Sequence, residues 1–281
     1  MKPAAGSRRF NFVSHLCRKT SLVQNLSREI GMFKLGLCSV TFREKSTDEI
    51  IRIVVDQGLE GIEWGGDVHA RPGALGAGIK ELGEMCHEAG LHAPSYGSYF
   101  DALENEPHDF TAVLETAGLL GVDTIRIWPG WVDPGQETPE QRARIVSTSR
   151  NAAEQAAVRN IRVAFEFHDH TLTEGADNTL RLLEEIGYSN VYTYYQLIRP
   201  DDFAWNLENF DKVYPRLAYV HVQANDGERN LPLEDYRDLW REIIRRLKDR
   251  GYNGWLFFEF NQDNSVAQLE KDVALIRSFM K

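Results

Sequence analysis

Four side chains with oxygen or nitrogen donor atoms interrupt or end short apolar, β-rich runs in the second half of the chain: Glu166, Gln196, His221 and Glu259. Burying a lone carboxylate in such a run costs several kcal/mol unless it is paired or bound to a metal. Three oxygen donors with one imidazole suit Mn²⁺, Mg²⁺ or Co²⁺ better than they suit a thiolate zinc site. If the fold brings these residues together, we expect them to bind a divalent metal ion.

The elements that would position these residues follow a regular alternation from Met32 onward. Eight β-rich runs are centred on Leu37, Ile62, Ala93, Arg126, Phe165, Tyr194, Val220 and Phe257. Between the runs, apolar residues recur at intervals of three and four, which is the spacing of an amphipathic helix. Eight such units over about 250 residues predict a single α/β domain, a (β/α)₈ TIM barrel. No G-x-G-x-x-G turn follows the first run, so a dinucleotide-binding fold is disfavoured.

Helix boundaries are marked by local signals. Ser46 with Glu49, and Thr138 with Gln141, have the spacing of capping boxes. Five glycines each end a helical pattern just before the next strand, where a left-handed residue is favoured: Gly58, Gly90, Gly121, Gly187 and Gly251.

In a barrel the carboxyl ends of the strands meet at one mouth, where active sites lie. Strands five to eight would therefore deliver the four donor residues to the same end. His168 lies two residues beyond Glu166, on the same face of the strand, and is expected either to orient that carboxylate or to contact a substrate.

Further side chains near the strand ends are candidate substrate contacts: Trp64, Asp67, His69, Tyr96, Trp128, His168 and Arg199. Flat rings at a mouth can stack on a sugar face, and Trp131 belongs to the same aromatic group. The alternative for each ring is ordinary packing. Asp67 can instead cap a glycine turn, and Arg199 can form a surface ion pair.

At these positions the sequence resembles the xylose isomerase-like barrel family over residues 34 to 280. The resemblance rests on Glu-Phe-His at 166–168, His-Val at 221–222, Glu-Phe at 259–260 and Gly-Ile-Glu-Trp at 61–64. It implies that strands five to eight supply Glu, Asp, His and Glu as metal ligands, and that the two glutamates transfer protons. Gln196 occupies the usual Asp position, which removes one negative charge from the site.

The resemblance implies a divalent-metal-dependent isomerase or epimerase of a small carbohydrate, with Mn²⁺ as the expected ion and Glu166 and Glu259 as catalytic residues. The alternative is a metal-dependent lyase or dehydratase that acts on a sugar, a cyclitol or an oxidised glycoside. A nuclease of similar fold would need more His and Asp ligands and a basic groove. A non-catalytic binding protein would not exchange substrate protons with solvent.

Composition and net charge indicate which classes of binding partner are disfavoured. The chain has 281 residues, with 32 Lys and Arg against 42 Asp and Glu, so its net charge of −10 disfavours nucleic acid. Its apolar runs are too short to span a bilayer. Three cysteines, an odd number without close spacing, favour the reducing cytoplasm. The sequence leaves a homo-oligomer open.

Residues 1–31 differ from the rest of the chain because they carry six bases and one acid. We interpret them as an extension outside the barrel of residues 32–281. A targeting segment is the alternative.

Overall fold

A computed structural model describes residues 33–74 and 76–281. These residues contain eight β-strands: β1 (Lys34–Cys38), β2 (Gly61–Gly65), β3 (His92–Asp101), β4 (Thr124–Trp128), β5 (Arg162–Phe165), β6 (Val191–Tyr195), β7 (Leu217–Val222) and β8 (Trp255–Phe258). Each predicted run centre lies within one of these strands. The predicted extension, residues 1–31, lies outside the described residues.

Each strand is followed by a helix in the described part of the chain. The helices are α1 (Thr47–Asp56), α2 (Gly76–Glu88), α3 (Phe110–Leu120), α4 (Pro139–Ala157), α5 (Ala176–Ile186), α6 (Phe203–Val213), α7 (Arg237–Asp249) and α8 (Val266–Met280). Short 3-10 turns lie in several of the connections. In these same residues, no helix combines the length and the apolar character that crossing a membrane requires.

The strands pair in parallel and in chain order, and β1 also pairs with β8 through Gly36 with Phe257. The sheet is therefore closed, which confirms the predicted (β/α)₈ barrel. Closure places the carboxyl ends of all eight strands around one mouth.

The predicted local signals are present. Ser46 and Thr138 both accept hydrogen bonds from the backbone of the residue three positions later and form complete capping boxes. The five glycines predicted to end helices have φ between 63° and 74°. Residues other than glycine are disfavoured there, so these positions end each helix and redirect the chain into the next strand.

Two apolar layers hold the barrel. Aliphatic side chains fill the space between the sheet and the helices, while rings such as Tyr194, Tyr219 and Phe257 fill the barrel interior. Gly36 is required for this filling, because a Cβ there would lie 2.6 Å from the Phe257 ring. The packed interior forms a floor beneath the mouth, so polar groups above it are shielded from water on that side.

Candidate active site

The four predicted donor residues lie at the mouth. Glu166, Gln196 and Glu259 directly follow β5, β6 and β8, and His221 lies within β7. The backbone N–H groups of Glu166 and Glu259 continue the sheet ladder by donating to Ile127 and Val222, respectively. Each of the four residues is at most 4% exposed. The end of the sheet therefore holds them in fixed positions out of water.

Three of these residues form what we call the carboxylate–imidazole cluster: Glu166, His221 and Glu259. One donor atom from each lies within 4.8 Å of the others. Nδ1 of His221 is 2.8 Å from Oε2 of Glu259 and 3.9 Å from Oε1 of Glu166. Oε1 of Gln196 lies 3.1 Å from the same nitrogen. The structure thus brings together all four residues predicted as ligands.

Two charged residues that the sequence-based prediction of the site left out lie directly against the cluster. Glu63, on β2, places Oε1 3.3 Å from Nε2 of His221. Arg126, on β4, forms ion pairs with both Glu63 and Glu166. The sequence does contain a signal for them, because each is a charged residue in the middle of an otherwise apolar strand and their charges are opposite.

Electrostatics couple these groups. Burial alone lowers the pKa of His221, but the adjacent Cys38 thiol and nearby carboxylates outweigh it and hold that pKa well above its ordinary value. Burial raises the pKa of Glu63, yet His221 and Arg126 lower it to about 2. Burial also raises the pKa of Glu259, but the effect of His221 is stronger and holds that pKa below its ordinary value. Glu63 and Glu259 are therefore ionised at neutral pH.

The residues present fit a divalent cation. Three formal negative charges (Glu63, Glu166, Glu259) and one positive charge (Arg126) sum to −2 when the imidazole is in the neutral form that binds a metal, and the raised pKa of His221 offsets part of that charge in the metal-free site. A buried charge of that size requires compensation. Carboxylate and carboxamide oxygens with one imidazole nitrogen form a donor set suited to Mn²⁺, Mg²⁺ or Co²⁺.

Three rings form a wall beside the cluster. Trp128 and Trp131 stack with centroids 4.8 Å apart, and the His168 ring meets both edge-on. Nδ1 of His168 is paired with Asp169 at 2.7 Å. The expectation that His168 orients Glu166 stays a prediction: the polar partner of Nδ1 is Asp169, and the ring belongs to the aromatic wall.

Two predicted ring contacts are wrong because of strand alternation. Glu63 and Ser95 face the barrel interior, where they hydrogen-bond each other, so Trp64 and Tyr96 face outward. Both rings are 0% exposed within the core between sheet and helices, and the Tyr96 hydroxyl donates to the carbonyl of Ala70. Neither ring is available to a substrate at the mouth.

The residues predicted as substrate contacts in the turn after β2 have protein partners. Both ring nitrogens of His69 already have partners, Ser39 Oγ and the Lys45 carbonyl, each at 3.0 Å. Asp67 forms an ion pair with Arg43 at the rim. These contacts fix the loops after β1 and β2 to each other and give the two residues a structural role.

Arg199 lies away from the cluster. Its guanidinium pairs with Glu174 at 2.7 Å and covers the Trp205 ring at 4.5 Å. These residues line an outer groove of about 560 Å³ that contains no residue of the carboxylate–imidazole cluster. The surface ion pair, the alternative that the sequence left open for Arg199, is what the structure contains.

The fold and the site together define the class of this protein: a (β/α)₈ barrel with a buried cluster of possible metal ligands at its mouth. The family model described as the xylose isomerase-like TIM barrel matches residues 51–279. The chain belongs to this family.

Individual relatives are more distant. A 3-dehydroshikimate dehydratase from Bacillus anthracis is 24% identical over 216 residues, which cover 72% of this chain and 74% of the relative.

Solved structures share the fold. A probable 3-DHS dehydratase from Bacillus anthracis has a TM-score of 0.75 at 21% identity and covers 87% of this chain and 99% of its own. The 3-keto-D-glucoside 4-epimerase from E. coli has a TM-score of 0.70 at 18% identity, covering 88% and 99%. At these identities the likeness establishes the fold alone.

Proposed function

We propose that this chain is a divalent-metal-dependent isomerase or epimerase of a small carbohydrate, a ketose or a related hydroxy ketone. The observation that carries the proposal is the convergence of Glu166, His221 and Glu259 within 4.8 Å at the barrel mouth. A divalent ion held there, with Mn²⁺ as the first choice and Mg²⁺ or Co²⁺ as alternatives, would polarise a substrate carbonyl and acidify the neighbouring C–H.

The two cluster glutamates are the proposed proton-transfer residues. Glu259 is ionised at neutral pH because its pKa is lowered, so it is able to accept a proton from a substrate carbon. Glu166 follows β5, three strands away from β8 in the barrel order, and it would return a proton. Burial of both carboxylates keeps bulk water from competing for these protons.

The aromatic wall is the proposed substrate-binding surface. Trp128 is buried, whereas Trp131 is 57% exposed and presents its ring to solvent. Stacking on Trp128 and contact with His168 hold that ring in place before a ligand binds. Such rings take the apolar face of a sugar, while polar groups bind its hydroxyls.

A dehydratase is the second candidate, and the sequence relationship to a 3-dehydroshikimate dehydratase favours it. The same base would remove the proton, and the electrons left on carbon would then expel a β-leaving group instead of being reprotonated. The substrate would be a sugar, a cyclitol or an oxidised glycoside that carries such a group.

One experiment tests both candidates. The purified protein is analysed for bound metal and incubated with Mn²⁺ and a panel of free ketoses in heavy water, and products are followed by NMR. Deuterium beside the carbonyl together with a new epimer or isomer supports the isomerase, whereas a conjugated enone supports the dehydratase. Metal-loaded protein that exchanges no substrate proton in a panel that also includes 3-dehydroshikimate and oxidised glycosides contradicts both.

We also propose a location, a class of partner and a domain boundary for this chain. Buried free thiols at Cys38 and Cys86 support a reducing, cytoplasmic location. The acidic net charge supports a small-molecule partner in place of nucleic acid. Residues 1–31 remain a proposed extension outside the barrel domain, and a homo-oligomer remains compatible with all of these features.

A further inference from the structure

We propose that Glu63 and Arg126 are positioning residues that determine which atoms of His221 and Glu166 face a bound metal ion. This inference rests on the proposed metal centre and adds two residues beneath it. Both side chains are at most 2% exposed and lie inside the barrel, directly below the carboxylate–imidazole cluster.

Glu63 is held so that one of its oxygens faces His221. Its Oε2 accepts hydrogen bonds from the hydroxyls of Ser95 at 2.6 Å and Tyr194 at 2.9 Å. Its Oε1 faces Nε2 of His221, 3.3 Å away, and also accepts a hydrogen bond from the Cys38 thiol at 3.7 Å. Among the described residues that nitrogen makes no regular hydrogen bond, so a small ring rotation would direct its N–H to Glu63.

The consequence is a fixed tautomer for His221. A proton kept on Nε2 by Glu63 would make Nδ1, the nitrogen that faces Glu259, Gln196 and Glu166, the one that exchanges its proton for a metal ion. A hydrogen bond to the second ring nitrogen is the usual means by which a protein orients a ligating histidine and raises its basicity. Glu63 would perform that task here.

Arg126 performs the matching task for Glu166. Its Nη1 contacts Oε2 of Glu166, and its Nε lies 3.3 Å from Oε1 of Glu63. The other oxygen of Glu166, Oε1, therefore faces the His221 ring. A guanidinium suits this role because its planar fork reaches two carboxylates at once, whereas the ammonium of lysine is a single point charge.

A glycine and two aromatic rings enclose the guanidinium of Arg126. A Cβ at Gly97 would lie 2.6 Å from Nη2 and 3.2 Å from Oε1 of Glu63, so glycine leaves room for the guanidinium in this position. The rings of Tyr99 and Trp128 lie 5.4 and 5.5 Å from its central carbon. A cation enclosed in this way has little freedom to move away from the two carboxylates.

The test is Mn²⁺ affinity and the Mn²⁺ electron paramagnetic resonance spectrum, measured on the full chain without substrate. We expect Glu63→Gln and Arg126→Lys each to weaken Mn²⁺ binding by roughly 10- to 100-fold and to change the spectrum of the bound ion. Asp272→Asn is the matched control, because it makes a similar change at a buried carboxyl group on α8, outside the barrel. It should leave both readouts unchanged.

The double variant Glu63→Gln/Arg126→Met removes both charges together and guards against a folding failure in either single variant. It should fold, as judged by circular dichroism, and should bind Mn²⁺ as weakly as the single variants. Wild-type affinity and an unchanged spectrum in the folded variants would overturn the positioning role. Failure of the wild-type protein to bind Mn²⁺ would instead contradict the proposed metal centre itself.

Discussion

Nδ1 of His221 lies 2.8 Å from Oε2 of Glu259, although the two residues come from different strands. The contact exists because β7 and β8 pair in parallel, with His221 opposite Phe257. Glu259 then lies just beyond the paired segment, and its side chain reaches back over the imidazole. The barrel thus places the one nitrogen donor of the cluster against a carboxylate.

His221→Ala should remove most of the bound metal, with an affinity loss of at least 10-fold, because the imidazole is the only nitrogen donor among the proposed ligands. Metal content after dialysis against Mn²⁺ provides the measurement. His69→Ala is the control, since both nitrogens of that ring are bonded to Ser39 and Lys45 outside the cluster. Unchanged metal stoichiometry in His221→Ala would place the metal site elsewhere.

Gln196→Asp should bind Mn²⁺ at least as tightly as the wild type, because it adds a negative charge at the position whose amide oxygen now faces Nδ1 of His221. The same change adds a fourth buried carboxyl group beside only two buried cations, Arg126 and protonated His221, when metal is absent, so the metal-free variant should unfold at lower urea concentration. Calorimetric titration and urea denaturation measure the two effects. Weaker metal binding would show that Gln196 is not a ligand.

Glu166→Gln and Glu259→Gln should each fold and lose turnover by roughly 10²-fold or more, because the amide keeps an oxygen donor but accepts no proton. Steady-state kinetics at saturating Mn²⁺ provide the measurement. Glu174→Gln, in the outer groove, should be close to wild type. Near-normal turnover in both cluster variants with metal bound would leave the glutamates as structural ligands only.

Trp131→Ala should raise KM by roughly 3- to 10-fold with little change in kcat, because stacking on an exposed ring contributes about 1 kcal/mol to substrate and transition state alike. Steady-state kinetics with the substrate identified in the heavy-water panel measure KM and kcat separately. Phe203→Ala is the control, since that ring is also exposed but lies at the start of α6, outside the aromatic wall. An unchanged KM in Trp131→Ala would remove Trp131 from the binding surface.

Asp272 should make stability depend on pH. Burial raises its pKa from 3.8 to about 6, so the folded state favours the protonated carboxyl. Its contribution is fully present below pH 4 and is lost as pH rises through 6, a change on the order of 2 to 3 kcal/mol. Asp272→Asn should therefore match the wild type near pH 4 and exceed it at pH 8 in urea denaturation. Parallel pH profiles for the two proteins would contradict the assignment.

Much of this architecture is determined by local sequence. The alternation of strands and helices, the capping boxes and the helix-ending glycines depend on interactions among residues a few positions apart, so the (β/α)₈ barrel was predictable. The positions of Glu166, His221 and Glu259 at strand ends followed from the same regularity, since the barrel brings all such ends to one mouth.

Only the tertiary structure decided what surrounds those three residues. Trp64 and Tyr96 face outward because the alternation of each strand is set by pairing across the sheet, and that pairing places Glu63 and Ser95 inside. Arg126, on β4, contacts Glu63 on β2 and Glu166 at the end of β5. The separation of these residues in the sequence does not predict the distance between their side chains. Side-chain contacts across a closed barrel depend on its register and curvature, and a single sequence does not encode those locally.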